Sequence, residues 1–116
     1  MDPELKARVR AELFRCAIAG QFLTYTEFFN RINPTATMGA FPYISHFNQI
    51  AMEERSHGYP DITFIVHKSG PMPQYPGQID FRPADPPDEK QLKSLRSGTD
   101  ALIALYCPGR TNPYRP

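Results

Sequence analysis

The stretch QFLTYTEFFNRI, residues 21–32, constrains the fold most strongly because it fixes where a helix begins. Thr24 and Glu27 stand three residues apart, which is the spacing of a capping box. In that motif the Thr hydroxyl accepts a hydrogen bond from the Glu amide, and the Glu carboxylate accepts one from the Thr amide. Leu23 and Phe28 occupy the two positions of a hydrophobic staple. The sequence therefore predicts a helix that starts directly after Thr24.

Helical periodicity predicts a further helix on each side of this one. The first covers residues 2–19, ends at Gly20 and has an apolar stripe at helical spacing: Leu5, Val9, Leu13, Cys16 and Ala17. The third covers residues 42–57, with Pro42 in its first turn. Its mostly apolar face consists of Ile44, Phe47, Ile50, Ala51 and Glu54, and we expect His46 and Glu53 to lie off that face.

The pattern changes after Gly58, where most of the 13 prolines lie. Residues 61–67 are rich in β-branched side chains and predict a strand. Residues 78–82 alternate apolar and polar side chains and predict a return strand. Together these segments predict an antiparallel hairpin with a long tip that is rich in proline and glycine.

The C-terminal part of the sequence predicts one more helix, within residues 84–107, capped by Asp85 and broken or kinked at Gly98. Residues 108–116 contain three prolines and predict a flexible tail. The apolar residues of the helix are Leu92, Leu95, Leu102, Ile103 and Tyr106. Two interpretations follow: the helix packs onto the first helix of its own chain, or it pairs with a second copy and forms a homodimer.

The predicted order of elements resembles that of a winged helix-turn-helix domain over residues 3–82. TYTEFFNRI is similar to the second helix of such domains, and GYPDITFIVHKSGPMPQYPG is similar to the strand and wing of small bacterial winged-helix proteins. The resemblance implies an α+β fold of three helices plus a small antiparallel β-hairpin and an added C-terminal helix. Residues 1–83 would form the winged-helix domain, residues 84–107 its helical extension, and residues 108–116 the tail.

A weaker resemblance links the chain to DNA alkyltransferases and alkyltransferase-like proteins, which also begin a helix with Thr-Tyr-Gly-Glu. Their reactive segment, Pro-Cys-His-Arg, corresponds to a segment here with His67 and Lys68 but no cysteine. No arginine lies between Ile32 and Phe47 to replace a flipped base. The alkyl-transfer chemistry therefore does not carry over.

The winged-helix resemblance implies that the third helix lies in the DNA major groove and that the wing contacts the same ligand. The predicted nucleic-acid or partner contacts are Tyr43, Ser45, Asn48, Gln49, Lys68, Met72 and Tyr75. The low charge of the chain argues against DNA binding, because phosphate contacts supply much of the affinity for DNA. The net charge is +1, and the third helix has only Arg55 as a fixed cation, next to Glu53 and Glu54. Adjacent helical residues diverge by about 100°, so the two glutamates are interpreted as a solvated face rather than a catalytic pair.

Two functions remain open from the sequence. One is a non-catalytic protein that binds double-stranded DNA, and the other is a protein–protein interaction or adaptor module on the same scaffold. The sequence predicts no catalytic residue, no metal site and no cofactor, since Cys16 and Cys107 read as packed thiols and the three histidines lack metal-ligand spacing. A disulfide between the cysteines is the alternative to free thiols. No apolar run approaches about 20 residues, and no signal peptide is evident, so we expect a cytoplasmic protein without a membrane partner.

Overall fold

The computed structural model describes residues 3–33, 43–67 and 89–115. These residues form a mostly helical α+β fold, with four helices and a small sheet of two parallel strands. In chain order the elements are α1 Pro3–Ala19, β1 Leu23–Thr24, α2 Tyr25–Ile32, α3 Ile44–Ser56, a 3-10 helix Ile62–Ile65, β2 Val66–His67 and α4 Glu89–Tyr106. None of the helices in these ranges combines the length and hydropathy that a bilayer-spanning segment needs.

The apolar stripe predicted on α1 is the side of this helix that meets the core. Val9, Leu13, Cys16 and Ala17 are fully buried there. The helix ends before Gly20, which adopts a positive φ of 70° that a residue without a Cβ tolerates at little cost. The predictions of this helix, its buried face and its glycine end are confirmed.

The capping box predicted at the start of α2 is formed. The Glu27 N–H donates to Thr24 Oγ1 at 3.1 Å, and the Thr24 N–H donates to Glu27 Oε1 at 2.9 Å. The hydrogen bond from the Thr24 backbone is the first cause of a lowered pKa for the Glu27 carboxyl, so this group is held as the anion. Leu23 and Phe28, the predicted staple pair, are both buried in the main apolar cluster.

The third helix is slightly shorter than predicted, and its buried side is wider. Phe47 and Ile50 are fully buried, as the spacing indicated. His46, expected off that face, is only 5% exposed. The physical reason is that His46 lies one turn after Tyr43, which is itself buried, and their ring centroids are 6.5 Å apart.

The strand predicted over residues 61–67 is wrong for most of its length, because residues 62–65 form a 3-10 helix. Asp61 accounts for the tight turn: its Oδ1 accepts from the Thr63 N–H at 3.0 Å and from the Thr63 hydroxyl at 2.6 Å. The side chains that indicated a strand instead fill the core from this turn; these are Ile62, Thr63 and Ile65.

The two short strands run parallel, with Leu23 opposite Val66 and Thr24 opposite His67. The predicted antiparallel hairpin is not confirmed, because β2 pairs with β1 and the predicted return strand, residues 78–82, lies outside the described residues. A parallel pair needs a long crossover between its strands, and α2 and α3 lie in that connection.

The fourth helix packs onto α1 of the same chain. Phe14 and Tyr106 meet edge to face with ring centroids 5.6 Å apart, and Leu102 is buried in the main core. Leu95 and Ile103 are also buried. The apolar residues that led to the homodimer hypothesis are thus largely covered within the chain, so they offer little surface for pairing.

The predicted break at Gly98 is wrong, since α4 runs through this residue without interruption. Gly98 lies against the ring of Phe64, and a Cβ at this position would be 2.9 Å from Phe64 Cε2. The glycine therefore permits close packing between α4 and the 3-10 helix. The predicted cap at Asp85 lies outside the residues that the structure describes.

The tail, predicted to be flexible, packs against the domain as far as Arg115. Tyr114 is only 3% exposed. It shares a second apolar cluster with Phe22, Phe64 and Leu95. Asn112 turns the chain into this position, because its Oδ1 accepts the Tyr114 N–H at 2.9 Å. The prolines around Tyr114 suggested an extended tail, but one aromatic side chain anchors it to the core.

Candidate nucleic-acid interface

One side of α3 is exposed from the first turn of the helix to the last. Ser45, Gln49, Met52 and Ser56 follow one another at spacings of three or four residues, which places their side chains on one side. All four are exposed, and Met52 reaches 64%. Asn48, which is half-buried, and Arg55, which is exposed, border them. The outer face of α3 is defined by Ser45, Asn48, Gln49, Met52, Arg55 and Ser56.

Three of the residues predicted as contacts come together on this outer face. They are Ser45, Asn48 and Gln49. The two amide side chains each present both a donor and an acceptor, and the serine hydroxyl can act as either. The outer face of α3 therefore offers hydrogen-bonding groups with no requirement for a particular charge on the ligand.

Tyr43, also predicted as a contact, lies in the core and is only 4% exposed. Its ring stacks on Phe29 with centroids 5.7 Å apart and planes at 27°. Burial raises the pKa of the Tyr43 phenol. Because this ring packs beneath the start of α3, we do not include it in the outer face.

The other three predicted contacts, Lys68, Met72 and Tyr75, lie outside the described residues, and their roles stay predictions. The chain enters their segment from His67, at the end of β2. The His67 ring is buried, and its centroid lies 6.5 Å from that of Tyr114. The last described residue before that segment therefore lies beside the anchored tail.

The two glutamates of α3 are turned toward α1, where two cations neutralise them. Lys6 Nζ lies 2.7 Å from Glu53 Oε2, and Arg10 Nη1 lies 3.1 Å from Glu54 Oε2. Arg10 also bonds Glu53 through its other amino group. The hydrogen bond from Lys6 is the first cause of a lowered pKa for Glu53. These contacts withdraw the acidic charge of α3 from the outer face.

The interpretation of Glu53 and Glu54 as a solvated face is therefore wrong for Glu54, which is 7% exposed. Adjacent helical residues diverge by about 100°, so Glu54 lies in the seam between α1 and α3 while Glu53 lies at the edge of that seam. Since α1 was predicted as a separate element, its cations could not be matched to these acids from the sequence.

Met52 is one of three residues of the outer face, with Arg55 and Ser56, that were not predicted as contacts. It lies seven residues after Ser45 and three after Gln49, so the helical spacing of the predicted contacts would have found it. Its exposed thioether adds an adaptable apolar contact to a polar face.

The nucleophilic and metal-ligating side chains do not assemble into a second site among residues 3–33, 43–67 and 89–115. Cys16 and Cys107 are free thiols, both buried, and burial is the first cause of the raised pKa of each. Within the same ranges no three side chains of His, Cys, Asp or Glu lie close enough to share a metal ion. Cys16 thus has the packed position that its place on the α1 stripe predicted.

The described residues form a small, mostly helical α+β domain in which the outer face of α3 is largely exposed. No protein-family model, curated protein or solved structure matches this chain.

Proposed function

We propose that the chain is a non-catalytic winged helix-turn-helix protein that binds double-stranded DNA through the outer face of α3. One observation carries the proposal: the acids of α3 point away from this face. Glu53 and Glu54 pair with Lys6 and Arg10 of α1, so no carboxylate belongs to the outer face. The acidic residues next to Arg55, one part of the electrostatic objection to DNA, are thereby paired away from this face.

The arrangement of the elements supports the same proposal. An exposed α-helix with short polar side chains fits the major groove of B-form DNA, where Asn and Gln can form paired hydrogen bonds with adenine. Asn48 and Gln49 have the required amide groups, and Ser45 lies one turn before Gln49. The capped start of α2 and the packing of α3 on α1 hold this face in a fixed orientation.

The outer face carries Arg55 as its cation, so phosphate contacts from this face are few. We therefore expect duplex binding that is weak at physiological ionic strength and tightens as the salt concentration is lowered. Fluorescence anisotropy of a labelled duplex, titrated with the intact chain at several salt concentrations, measures both the affinity and its salt dependence.

The variants that test the face are Gln49→Glu and Arg55→Gln, each of which makes the net charge more negative by one. Ala104→Glu, an exposed position on α4, is the charge-matched control. We expect either face variant to lower the affinity about tenfold or more, since one good base contact is worth about 1–3 kcal/mol. Equal affinities for the two face variants and the control would contradict the proposed face. Failure of the intact chain to bind duplex at low salt would contradict DNA binding itself.

One observation favours the second candidate function, a protein–protein interaction or adaptor module. Met52 is 64% exposed in the middle of the outer face, and exposed methionines are enriched where proteins bind one another. This second candidate function uses the same outer face of α3, but its ligand is a protein instead of DNA. It takes precedence if the intact chain fails to bind duplex at low salt.

A further inference from the structure

A groove that shares no residue with the outer face of α3 lies between α4 and the C-terminal tail. Its volume is about 520 Å³. The lining residues are Glu89, Lys90, Lys93, Arg96, Ser97 and Arg115. Four of these six side chains are cations, a density that the outer face of α3 does not approach. We refer to this feature as the α4 groove.

Two cations of the α4 groove are held by hydrogen bonds between α4 and the tail. Arg96 Nε donates to the carbonyl oxygen of Tyr114 at 2.9 Å, and Arg115 Nε lies 2.9 Å from Asp100 Oδ2. Asp100 also accepts from Asn112 Nδ2 at 2.9 Å. The acid next to the groove is therefore satisfied by groups of the protein, and each of the two guanidinium groups has a partner within the chain.

The other two cations, Lys90 and Lys93, are exposed and have no hydrogen bond or ion pair with any residue that the structure describes. The arginines in the described ranges differ in this respect, since each bonds a carboxylate or a backbone carbonyl; Arg8, for example, donates to the Ile32 carbonyl at 2.7 Å. The two ammonium groups of α4 are thus available to an external anion.

The described chain resumes after residues 68–88 at the α4 groove. Residue 67, the last of β2, lies beside Tyr114 with ring centroids 6.5 Å apart, and the Tyr114 carbonyl is the acceptor for Arg96. The chain re-enters the described structure at Glu89, in the groove itself. Residue 67 thus lies beside the tail residue whose carbonyl holds Arg96, and residue 89 lines the groove.

We infer that the α4 groove binds the phosphate groups of a nucleic-acid backbone. The inference rests on the proposed function and supplies what the outer face of α3 lacks, because phosphate contacts position a DNA-binding protein and provide much of its affinity. Arg96 offers a planar guanidinium group that suits phosphate oxygens, Lys90 and Lys93 add mobile charge, and the Ser97 hydroxyl can donate a hydrogen bond. Glu89 at the rim is the acid that the ligand must avoid.

The test uses the intact chain, a labelled duplex and the salt dependence of its binding. Lys90→Gln and Lys93→Gln each remove one exposed cation from the groove, and Arg15→Gln, on the exposed side of α1, removes one cation elsewhere as the matched control. We expect each groove variant to reduce the slope of log K against log salt by about 0.9, the effect of losing one phosphate contact on B-form DNA. Arg15→Gln should keep the slope of the intact chain.

The outcomes separate this inference from the proposed function. If the intact chain binds duplex and both groove variants keep its salt slope, the groove inference is overturned while the role of the outer face stands. If the intact chain binds no duplex at low salt, both the proposed DNA binding and the groove inference are contradicted. Inorganic phosphate is the second probe. Its binding is monitored by the changes in amide chemical shifts in NMR spectra of the intact chain. Saturable binding of inorganic phosphate at the groove, with unchanged duplex slopes, would assign a site for free phosphate and overturn the nucleic-acid assignment.

Discussion

Tyr114 donates its hydroxyl hydrogen to the backbone carbonyl of Phe64, fifty positions earlier in the chain. The same tyrosine ring packs edge to face against Phe22, with centroids 6.1 Å apart. One side chain near the C-terminus thus joins the segment after α1 to the 3-10 helix. Its burial also raises the pKa of the phenol, so the group stays protonated and remains a donor.

Removing this side chain should destabilise the whole domain. We expect Tyr114→Ala to lower the free energy of unfolding by about 3–5 kcal/mol, the range for large aromatic side chains truncated in a core. Tyr114→Phe keeps the ring and should cost about 0.5–1.5 kcal/mol, since it removes one hydrogen bond. Urea denaturation measures both, with Thr111→Ala, an exposed tail position, as the control. An unfolding curve for Tyr114→Ala that matches the control would show that the tail does not stabilise the domain.

The capping box of α2 can be tested by single and double replacement. Thr24→Ala and Glu27→Ala should each cost about 0.5–2 kcal/mol in the free energy of unfolding. Because the two side chains form one reciprocal unit, the double variant should cost less than the sum of the single variants. Thr26→Ala, an exposed position inside the same turn, serves as the control. Additive effects of the two replacements would refute reciprocal capping.

The stabilisation that Glu27 provides should depend on pH. The pKa of its carboxyl is lowered in the folded protein relative to the ordinary value of 4.5, so the folded state favours the anion. The contribution of Glu27 is therefore present above that ordinary value and is lost as the pH falls through the lowered value. We expect the stability difference between the intact chain and Glu27→Ala to shrink on acidification in urea melts. A difference that is constant down to acidic pH would contradict this assignment.

Arg10 should matter more for stability than Arg15, although both belong to α1. Removal of Arg10 leaves Glu54, which is 7% exposed, without the guanidinium that lies 3.1 Å away. Hydrogen bonds to charged groups contribute about 1.5–3 kcal/mol, so we expect a loss of this size for Arg10→Ala. The pair of Arg15 with Glu12 is more exposed and is screened by solvent, so Arg15→Ala should cost less stability than Arg10→Ala. Equal losses in thermal or urea unfolding would show that the bridge between α1 and α3 contributes no more than a surface pair.

Gly98→Ala tests two opposing effects at one position of α4. Alanine favours a helix by about 1 kcal/mol over glycine, but its Cβ would lie 2.9 Å from Phe64 Cε2. Overpacking of this kind costs about 1–3 kcal/mol, so we expect a net loss of stability. Ser97→Ala, exposed on the same turn, lacks the contact and should be neutral or slightly stabilising. A stabilised Gly98→Ala would mean that the Phe64 ring moves aside at little cost.

The sequence predicted the features that depend on near neighbours. The capping box follows from residues three apart, and the buried stripe of α1 follows from one helical period, so both were found. The 3-10 helix was not predicted because it depends on the Asp61 side chain, which accepts a hydrogen bond from the Thr63 N–H. Such a bond from side chain to backbone competes with strand pairing, and the β-propensity of the neighbouring residues does not reveal it. The Phe64 ring that explains Gly98 lies far from it in sequence, and helix propensity alone therefore suggested a break.

The candidate surfaces also divide into features set by near neighbours in sequence and features set by residues far apart. Ser45, Asn48 and Gln49 were predicted because one helical face contains them all. The neutralisation of Glu53 by Lys6 could not be predicted, because it joins residues forty-seven positions apart. The α4 groove requires the tail to lie along α4, which in turn depends on the burial of Tyr114. The prolines of residues 108–116 had instead predicted a flexible tail.

The parallel pairing of β1 with β2 has a consequence for how the length of the chain can vary. Thr24 and His67 are partners in the ladder, so the segment between them leaves and rejoins the domain at points one strand spacing apart, about 4.8 Å. In topological terms α2 and α3 lie in one loop of the chain that the strand pair closes. Residues can be inserted or deleted between the two helices without separating that strand pair, since the entropy of a loop changes only slowly with its length. Related chains could therefore differ in length here and still keep both strands in register.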